Sequence, residues 1–65
     1  MSERRIVLGR DGTVRLDRKV TRWSFAKWSN GWALMYDGMP EYSQIASLID
    51  CRAYLLGLTD EELFG

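Results

Sequence analysis

The stretch Trp23-Ser-Phe-Ala-Lys-Trp-Ser-Asn-Gly-Trp-Ala-Leu-Met-Tyr36 decides how the chain folds, because it contains all three tryptophans and a strong turn signal. Asn30-Gly31 can adopt the two positive φ angles of a type I′ turn at little cost, and the twist of that turn matches the twist of the strands it joins. Aromatic and apolar residues flank the dipeptide on both sides. The stretch therefore predicts a β-hairpin against which the other segments pack.

A two-residue turn at Asn30-Gly31 also predicts which residues of the hairpin face each other. The opposed pairs would be Ser29 with Trp32, Lys27 with Leu34, and Phe25 with Tyr36. Burial of each large apolar side chain contributes about 1.5–3 kcal/mol to stability. The predicted core residues of the hairpin are Trp23, Phe25, Leu34 and Tyr36, whereas Trp28 and Trp32 are expected to be only partly covered.

The composition is typical of one small domain. The chain has 65 residues, one cysteine (Cys51) and no apolar run of membrane-spanning length. A chain of this size buries only about 60% of the surface that it exposes when unfolded, so its core is small. A lone cysteine forms no internal disulfide, and the charged start of the sequence lacks the apolar segment of a signal peptide. We therefore expect a cytoplasmic protein that makes no contact with a membrane.

The charges are distributed unevenly along the sequence, although the net charge is zero. Residues 1–36 carry eight basic and three acidic side chains, a balance of +5. Residues 37–65 carry one basic and six acidic side chains, a balance of −5. If the two halves form different faces, the protein is an electric dipole, and each face attracts a partner of opposite charge.

Residues 4–16 predict a first hairpin, because apolar residues alternate on both sides of the loop Arg10-Asp11-Gly12. If Gly12 adopts the left-handed conformation, this loop has three residues, and the apolar side chains of the two strands meet on one face. A two-residue loop would instead place Leu8 opposite Arg15, which is a poorer apolar pattern. The expected pairs are therefore Leu8 with Val14 and Ile6 with Leu16.

The segment 13–28 cannot be one regular strand that buries a single face. Its apolar residues occupy even positions up to Val20 and odd positions from Trp23 onward. Either Asp17-Arg18-Lys19 forms a turn between two strands, or a bulge near Thr21-Arg22 shifts the phase by one residue. The turn would give four strands and the bulge three longer ones, and both arrangements are antiparallel meanders.

The periodicity then changes from strand-like to helical. Apolar residues from Ile45 to Leu56 recur every three or four positions, with Arg52 as one long polar member of the stripe. Ser43 is the expected N-cap and Gly57 the expected residue after the C-cap, which predicts a helix over about 43–56.

Two further signals complete the predicted fold. Asp37-Gly38 should close the sheet, because Pro40 suits the start of a helix better than a strand. Thr59-Asp60-Glu61-Glu62 has the pattern of a capping box and predicts a short helix over about 60–64. The expected fold is a single α+β domain, an antiparallel three- to four-stranded β-meander followed by one main α-helix and a short C-terminal helix. The predicted strands cover about 4–9, 13–17, 20–28 and 32–36.

The sequence carries no catalytic signature. It lacks histidine, the usual general base near neutral pH and the commonest metal ligand. Cys51 has no basic partner in sequence that would activate it as a nucleophile, which favours a buried structural thiol. Helix capping explains the acidic run Asp60-Glu61-Glu62 without a metal ion. We therefore predict a protein that acts by binding and has no catalytic residue, no cofactor and no metal.

Two sets of charged residues are candidate binding surfaces. Acidic side chains of the second half could enter a groove built for nucleic-acid phosphates, and they are Asp37, Glu41, Asp50, Asp60, Glu61 and Glu62. A basic sheet that bears tryptophan has the composition of a surface that neutralises phosphates and stacks bases, and its candidates are Arg15, Arg18, Arg22, Lys27 and Trp28.

With its hairpin Trp23–Tyr36 and the acidic helical segment Ser43–Leu58, the chain resembles the small phage-encoded anti-CRISPR proteins, in particular inhibitors of type I-C systems. The resemblance covers the whole length, including the order of sheet and helix and the acidic second half. These inhibitors share no motif, so no residue role is carried over. The resemblance implies a non-enzymatic inhibitor that binds the crRNA-guided surveillance complex (Cascade), or its nuclease-helicase, and blocks DNA recognition or recruitment. Mimicry of DNA through acidic residues is similar to the mode of action of several such proteins.

Two alternatives remain open from the sequence. The first is a small nucleic-acid-binding module that uses the basic, tryptophan-bearing sheet. The second is an interaction domain with Trp28 and Met35 at its interface. In each case the protein is expected to be a monomer or a weak dimer.

Overall fold

The computed structural model describes residues 4–65. Within them, five strands are followed by two helices: β1 (Ile6–Leu8), β2 (Thr13–Leu16), β3 (Lys19–Trp28), β4 (Gly31–Tyr36), β5 (Met39–Ile45), α1 (Leu48–Leu56) and α2 (Asp60–Phe64). The strands form one antiparallel sheet in the order of the sequence. The α+β class is confirmed, but the described sheet has five strands, whereas three or four were predicted.

The first hairpin has the predicted register. Leu8 lies opposite Val14 and Ile6 opposite Leu16. Gly12 has a φ of 89°, and its N–H donates to the Gly9 carbonyl over 3.1 Å, which closes the three-residue loop. Two glycines thus allow the chain to reverse within a space that a larger side chain would obstruct.

The connection from β2 to β3 contains both of the features that were proposed as alternatives. Asp17, with a φ of 58°, and Arg18 form the turn between the strands. The register between β2 and β3 then shifts. At the shift, the hydroxyl of Thr21 makes hydrogen bonds in place of backbone groups. The Thr21 Oγ1 donates to the Val14 carbonyl over 2.8 Å and accepts from the Trp23 N–H over 3.1 Å. Val20 points away from the core and is 56% exposed, so the even-numbered apolar pattern ends at the turn.

The hairpin of β3 and β4 has a register shifted by two residues from the prediction. Trp28 lies opposite Gly31, so Ser29 and Asn30 form the loop. A shift of two residues keeps each side chain on its predicted face. Gly31 is instead required by a close approach of β5, because a Cβ there would lie 2.5 Å from the Ile45 carbonyl oxygen.

The turn with two positive φ angles occurs at Asp37-Gly38, with values of 52° and 82°. It joins β4 to β5, so the prediction that the sheet ends there is wrong. Asp-Gly is a favoured pair for a type I′ turn, and the tight reversal directs the chain back along β4. Pro40 lies opposite Met35 near the start of an edge strand, where its missing N–H is tolerated.

The predicted helix over about 43–56 begins later, at Leu48. Residues 39–45 pair with β4, and Ser47 rather than Ser43 is the N-cap, with its hydroxyl accepting from the Asp50 N–H over 3.3 Å. The predicted apolar stripe is also wrong in part, since Ile49 is 79% exposed. Gly57 ends α1 as its C-cap. The capping box predicted for α2 is confirmed, with Thr59 as the N-cap and Glu62 as its partner.

The core lies between one face of the sheet and the two helices. Trp23 and Leu34 are buried as predicted, whereas Phe25 and Tyr36 are partly buried at its margin. The remaining buried members of the cluster are Ile6, Val14, Leu16, Cys51, Leu55 and Leu63. Trp28 is 45% exposed, in agreement with the prediction. No helix among residues 4–65 is both long and apolar enough to cross a membrane.

Candidate functional site

An acidic, aromatic groove lies where the hairpin of β4 and β5 meets the two helices. We call it the tyrosine groove. It has a volume of about 330 Å³. Its lining residues are Trp23, Tyr36, Glu41, Tyr42, Tyr54, Leu58 and Glu62.

The aromatic rings of the tyrosine groove are in contact with one another. The ring centres of Tyr42 and Tyr54 are 4.6 Å apart, with an angle of 56° between their planes. Trp23 contacts both Tyr54 and Tyr36 in edge-to-face geometry, at 6.1 and 5.3 Å. Tilted and edge-to-face arrangements are the favourable ones for aromatic pairs. The groove therefore has a wall of packed rings, of which Tyr42, on the exposed edge strand, is 47% exposed.

Local structure holds Glu62 at this wall. Its Oε1 accepts a hydrogen bond from the Thr59 N–H over 2.9 Å, which is half of the capping box of α2. Its backbone carbonyl accepts from the Trp23 Nε1 over 3.0 Å. The other carboxylate, Glu41, is supplied by the exposed strand β5. Two glutamates from distant segments thus reach the same groove.

The titration of Tyr54 reflects this environment. Burial, a hydrogen bond with Tyr42 and the electrostatic interaction with Tyr42 together raise the pKa of Tyr54 to about 12, and burial is the largest of these causes. The negative charges of Glu62 and Glu41 contribute to the same shift. Burial disfavours a charge of either sign, whereas the two carboxylates specifically favour a positive charge. The groove can therefore accept a cation against its rings and its carboxylates.

The other predicted acidic residues lie elsewhere or have basic neighbours. Asp37 forms an ion pair with Arg22 over 3.0 Å, and Asp60 forms one with Arg4 over 3.1 Å. Each pair joins the basic half of the sequence to the acidic half, which reduces the predicted dipole. Asp50 lies in the first turn of α1, where its carboxylate accepts from the Ser47 hydroxyl over 3.2 Å, and it does not line the tyrosine groove. Glu61 is exposed on α2 beside Glu62.

The predicted basic residues are spread over several parts of the sheet. Arg15 is exposed on β2, and Arg18 lies in the turn after it. The Arg22 Nε donates to the Phe64 carbonyl over 2.9 Å, in addition to its pairing with Asp37. The Lys27 ammonium lies over the Trp32 ring, 5.0 Å from its centre, and Trp28 lies at the end of β3. These five candidates do not line one common groove.

A basic concavity was missed by the sequence analysis. We call it the arginine groove. It has a volume of about 600 Å³ and is lined by Arg4, Arg5, Val7, Asp17, Arg18 and Arg52. The adjacent Arg4-Arg5 pair and the polar member of the helical stripe, Arg52, were visible in the sequence, but only the antiparallel pairing of β1 and β2 brings Arg18 to them.

Two observations concern potential metal ligands and the thiol in the part of the chain that the structure describes. No group of three potential metal ligands occurs among residues 4–65. Cys51 is buried, and burial together with the neighbouring Asp50 raises the pKa of its thiol. Comparison of the chain with protein-family models, curated proteins and solved structures finds no match.

Proposed function

We propose that this protein acts by binding and not by catalysis, as an inhibitor that occupies a type I CRISPR surveillance complex (Cascade) and blocks recognition of target DNA. In this proposal it acts in the cytoplasm of a bacterial host. The whole-chain resemblance to small anti-CRISPR proteins suggests the target. The observation that carries the proposal is the tyrosine groove, in which Glu41 and Glu62 flank the rings of Tyr42 and Tyr54.

The tyrosine groove suits a basic side chain of a partner protein. A guanidinium or ammonium group over an aromatic face gains about 0.5–2 kcal/mol, and arginine does so more often than lysine. A carboxylate beside the ring adds a charge-assisted hydrogen bond. Surfaces that hold DNA are rich in arginine and lysine, because each of these residues neutralises a phosphate. The two glutamates would stand where DNA phosphates otherwise bind.

The proposal uses only part of the acidic surface that the sequence suggested. Glu41 and Glu62 reach the tyrosine groove, and Glu61 is exposed next to them. Asp37 and Asp60 share their charge with arginines, so they offer less to a partner. The acidic surface that would meet a basic partner is therefore the end of the molecule formed by α2 and β5. Asp50 does not belong to this surface.

The test compares two double variants for binding to a purified type I-C Cascade. Glu41→Gln with Glu62→Gln removes both charges from the groove, and glutamine at position 62 can keep the capping bond. Asp11→Asn with Asp50→Asn removes the same charge from the loop between β1 and β2 and from the first turn of α1, outside the groove lining. We expect the groove variant to lose at least about tenfold in affinity, which corresponds to about 1.4 kcal/mol. The control variant should bind as the unmodified protein does.

A target-DNA gel shift in the same samples measures the block itself. The unmodified protein should prevent Cascade from engaging its DNA, and the groove variant should do so only at higher concentration. Equal binding by the two double variants would refute the tyrosine groove as the contact surface. Absence of any binding to Cascade by the folded, unmodified protein would refute the proposed target.

A further inference from the structure

The arginine groove lies at the outer edge of β1, on a part of the molecule that the proposed function does not use. Arg5 adjoins β1, and its carbonyl accepts from the Asp17 N–H over 2.7 Å, so the turn that carries Arg18 lies beside it. Arg52 reaches the same edge from α1. Three separate segments thus place guanidinium groups around one concavity of about 600 Å³.

Two of the four arginines are fixed in position by backbone carbonyls. Arg4 donates to the Leu58 carbonyl over 2.6 Å and pairs with Asp60 over 3.1 Å. The Nε of Arg52 donates to the Ile6 carbonyl over 3.2 Å, which leaves its terminal nitrogens for other acceptors. Holding the guanidinium groups in place before a ligand arrives reduces the entropy that binding must overcome.

The other two arginines have no such structural role. Between residues 4 and 65, the side chains of Arg5 and Arg18 make no hydrogen bond or ion pair that the structure records. Among the described residues that line the groove, one is acidic, Asp17, and four are arginines. Like charges gathered in a concavity repel one another, and the field they produce concentrates anions there. A bound anion with several acceptor oxygens would relieve the repulsion.

The lining also indicates the class of anion. Guanidinium groups bind phosphate oxygens in bidentate geometry, and several of them at different angles suit a ligand with more than one phosphate. No aromatic residue lines this groove, so it offers no surface on which a base could stack. The exposed Arg15 lies across from Val7 on the neighbouring strand and extends the positive surface beyond the groove.

We propose that the arginine groove binds the phosphodiester backbone of a nucleic acid strand, independently of base sequence. Arg5 and Arg18 contact phosphate oxygens directly, and Arg4 and Arg52 shape the groove and add positive charge. This site is separate from the tyrosine groove, and it does not depend on the proposed inhibition of Cascade.

The test measures the affinity of the purified protein for a single-stranded oligonucleotide across a salt series. Arg5→Gln with Arg18→Gln removes two charges from the groove. The control Arg10→Gln removes one charge from the loop of the first hairpin, outside the groove, and Arg18→Gln alone is its matched groove variant. Each phosphate neutralised on a single strand contributes about 0.7 to the slope of log affinity against log salt. We therefore expect the slope to fall by about 1.4 in the double variant and to remain unchanged in the control.

Two further measurements distinguish a nucleic-acid strand from free inorganic phosphate as the ligand. Oligonucleotides of different base sequence should bind with equal affinity, and inorganic phosphate should displace them only at millimolar concentration. No oligonucleotide binding at low salt, or equal losses in Arg10→Gln and Arg18→Gln, would overturn the proposal. Tighter binding of inorganic phosphate than of the oligonucleotide would also overturn it, in favour of a small-anion site.

Discussion

The indole N–H of Trp23 donates a hydrogen bond to the backbone carbonyl of Glu62 over 3.0 Å. This bond joins the longest strand of the sheet to the short helix α2. An isolated helix of five residues would not be stable in water, because helix nucleation is costly. The position of α2, and with it one carboxylate of the tyrosine groove, therefore depends on the buried tryptophan.

Replacement of Trp23 by phenylalanine should destabilise the protein by about 2–3 kcal/mol. The change leaves the Glu62 carbonyl without its donor and opens a cavity in the core. Urea denaturation followed by circular dichroism measures the effect. The matched control is Trp28→Phe, which alters a side chain that is 45% exposed and should change the stability by less than about 0.5 kcal/mol. Similar effects of the two substitutions would contradict the assigned role of Trp23.

Replacement of Thr21 by valine should cost about 1–3 kcal/mol of stability at nearly constant side-chain volume. Thr21 is buried, and without its hydroxyl the Val14 carbonyl and the Trp23 N–H lose their shared partner at the bulge. Thr21→Ser keeps the hydroxyl and loses one methyl group, which is worth about 0.8 kcal/mol. Chemical denaturation of the three proteins should place serine between threonine and valine. A serine variant less stable than the valine variant would show that packing, not hydrogen bonding, decides this position.

The stability of the protein should depend on Tyr54 at high pH. The fold raises the pKa of Tyr54 from its ordinary value of 10.0 to about 12, so the folded state favours the neutral phenol. The contribution of Tyr54 to the free energy of unfolding is fully present below pH 10 and is lost as the pH rises through 12. The difference in unfolding free energy between the unmodified protein and Tyr54→Phe isolates this effect from other titrations. It should decline over that interval, and a constant difference would contradict the shift.

The register of the first hairpin was predictable because its turn and its apolar alternation agree, although its strands, Ile6–Leu8 and Thr13–Leu16, are shorter than the predicted 4–9 and 13–17. Gly12 permits the three-residue loop, and only that loop brings Leu8 and Val14 together on the core face. For the second hairpin, the face on which each side chain lies was predictable, but the register was not. Registers two residues apart bury the same side chains, so the apolar pattern could not separate them. The register observed leaves space beside Gly31 for β5, a strand that the sequence analysis did not predict.

Strand β5 was missed because its own residues carry almost no signal. All but Ile45 are exposed, so no alternation of buried and exposed positions marks the segment. Its conformation depends on pairing with β4, a tertiary effect that overrides local preference. The apolar residue Ile45 also coincides in spacing with Leu48 and Leu55, which extended the predicted helix into the strand.

The candidate site was predictable in composition but not in geometry. The sequence identified acidic residues without indicating that Asp37 and Asp60 would meet Arg22 and Arg4. Such pairs form between segments far apart in the chain, and their formation depends on the topology of the sheet. For the same reason, sequence spacing could not indicate the arginine groove, whose arginines come from the segment before β1, a turn and a helix.

Strand β5 is an open edge of the sheet, the kind of edge to which strands of other molecules add during aggregation. Three features of this strand oppose such growth. Pro40 offers no N–H, the pairing with β4 shifts twice, and Gln44 adopts a φ of 61° that bends the backbone. A protein with zero net charge has little electrostatic repulsion between copies. The irregularity of β5 therefore provides a protection against fibril formation that charge does not supply.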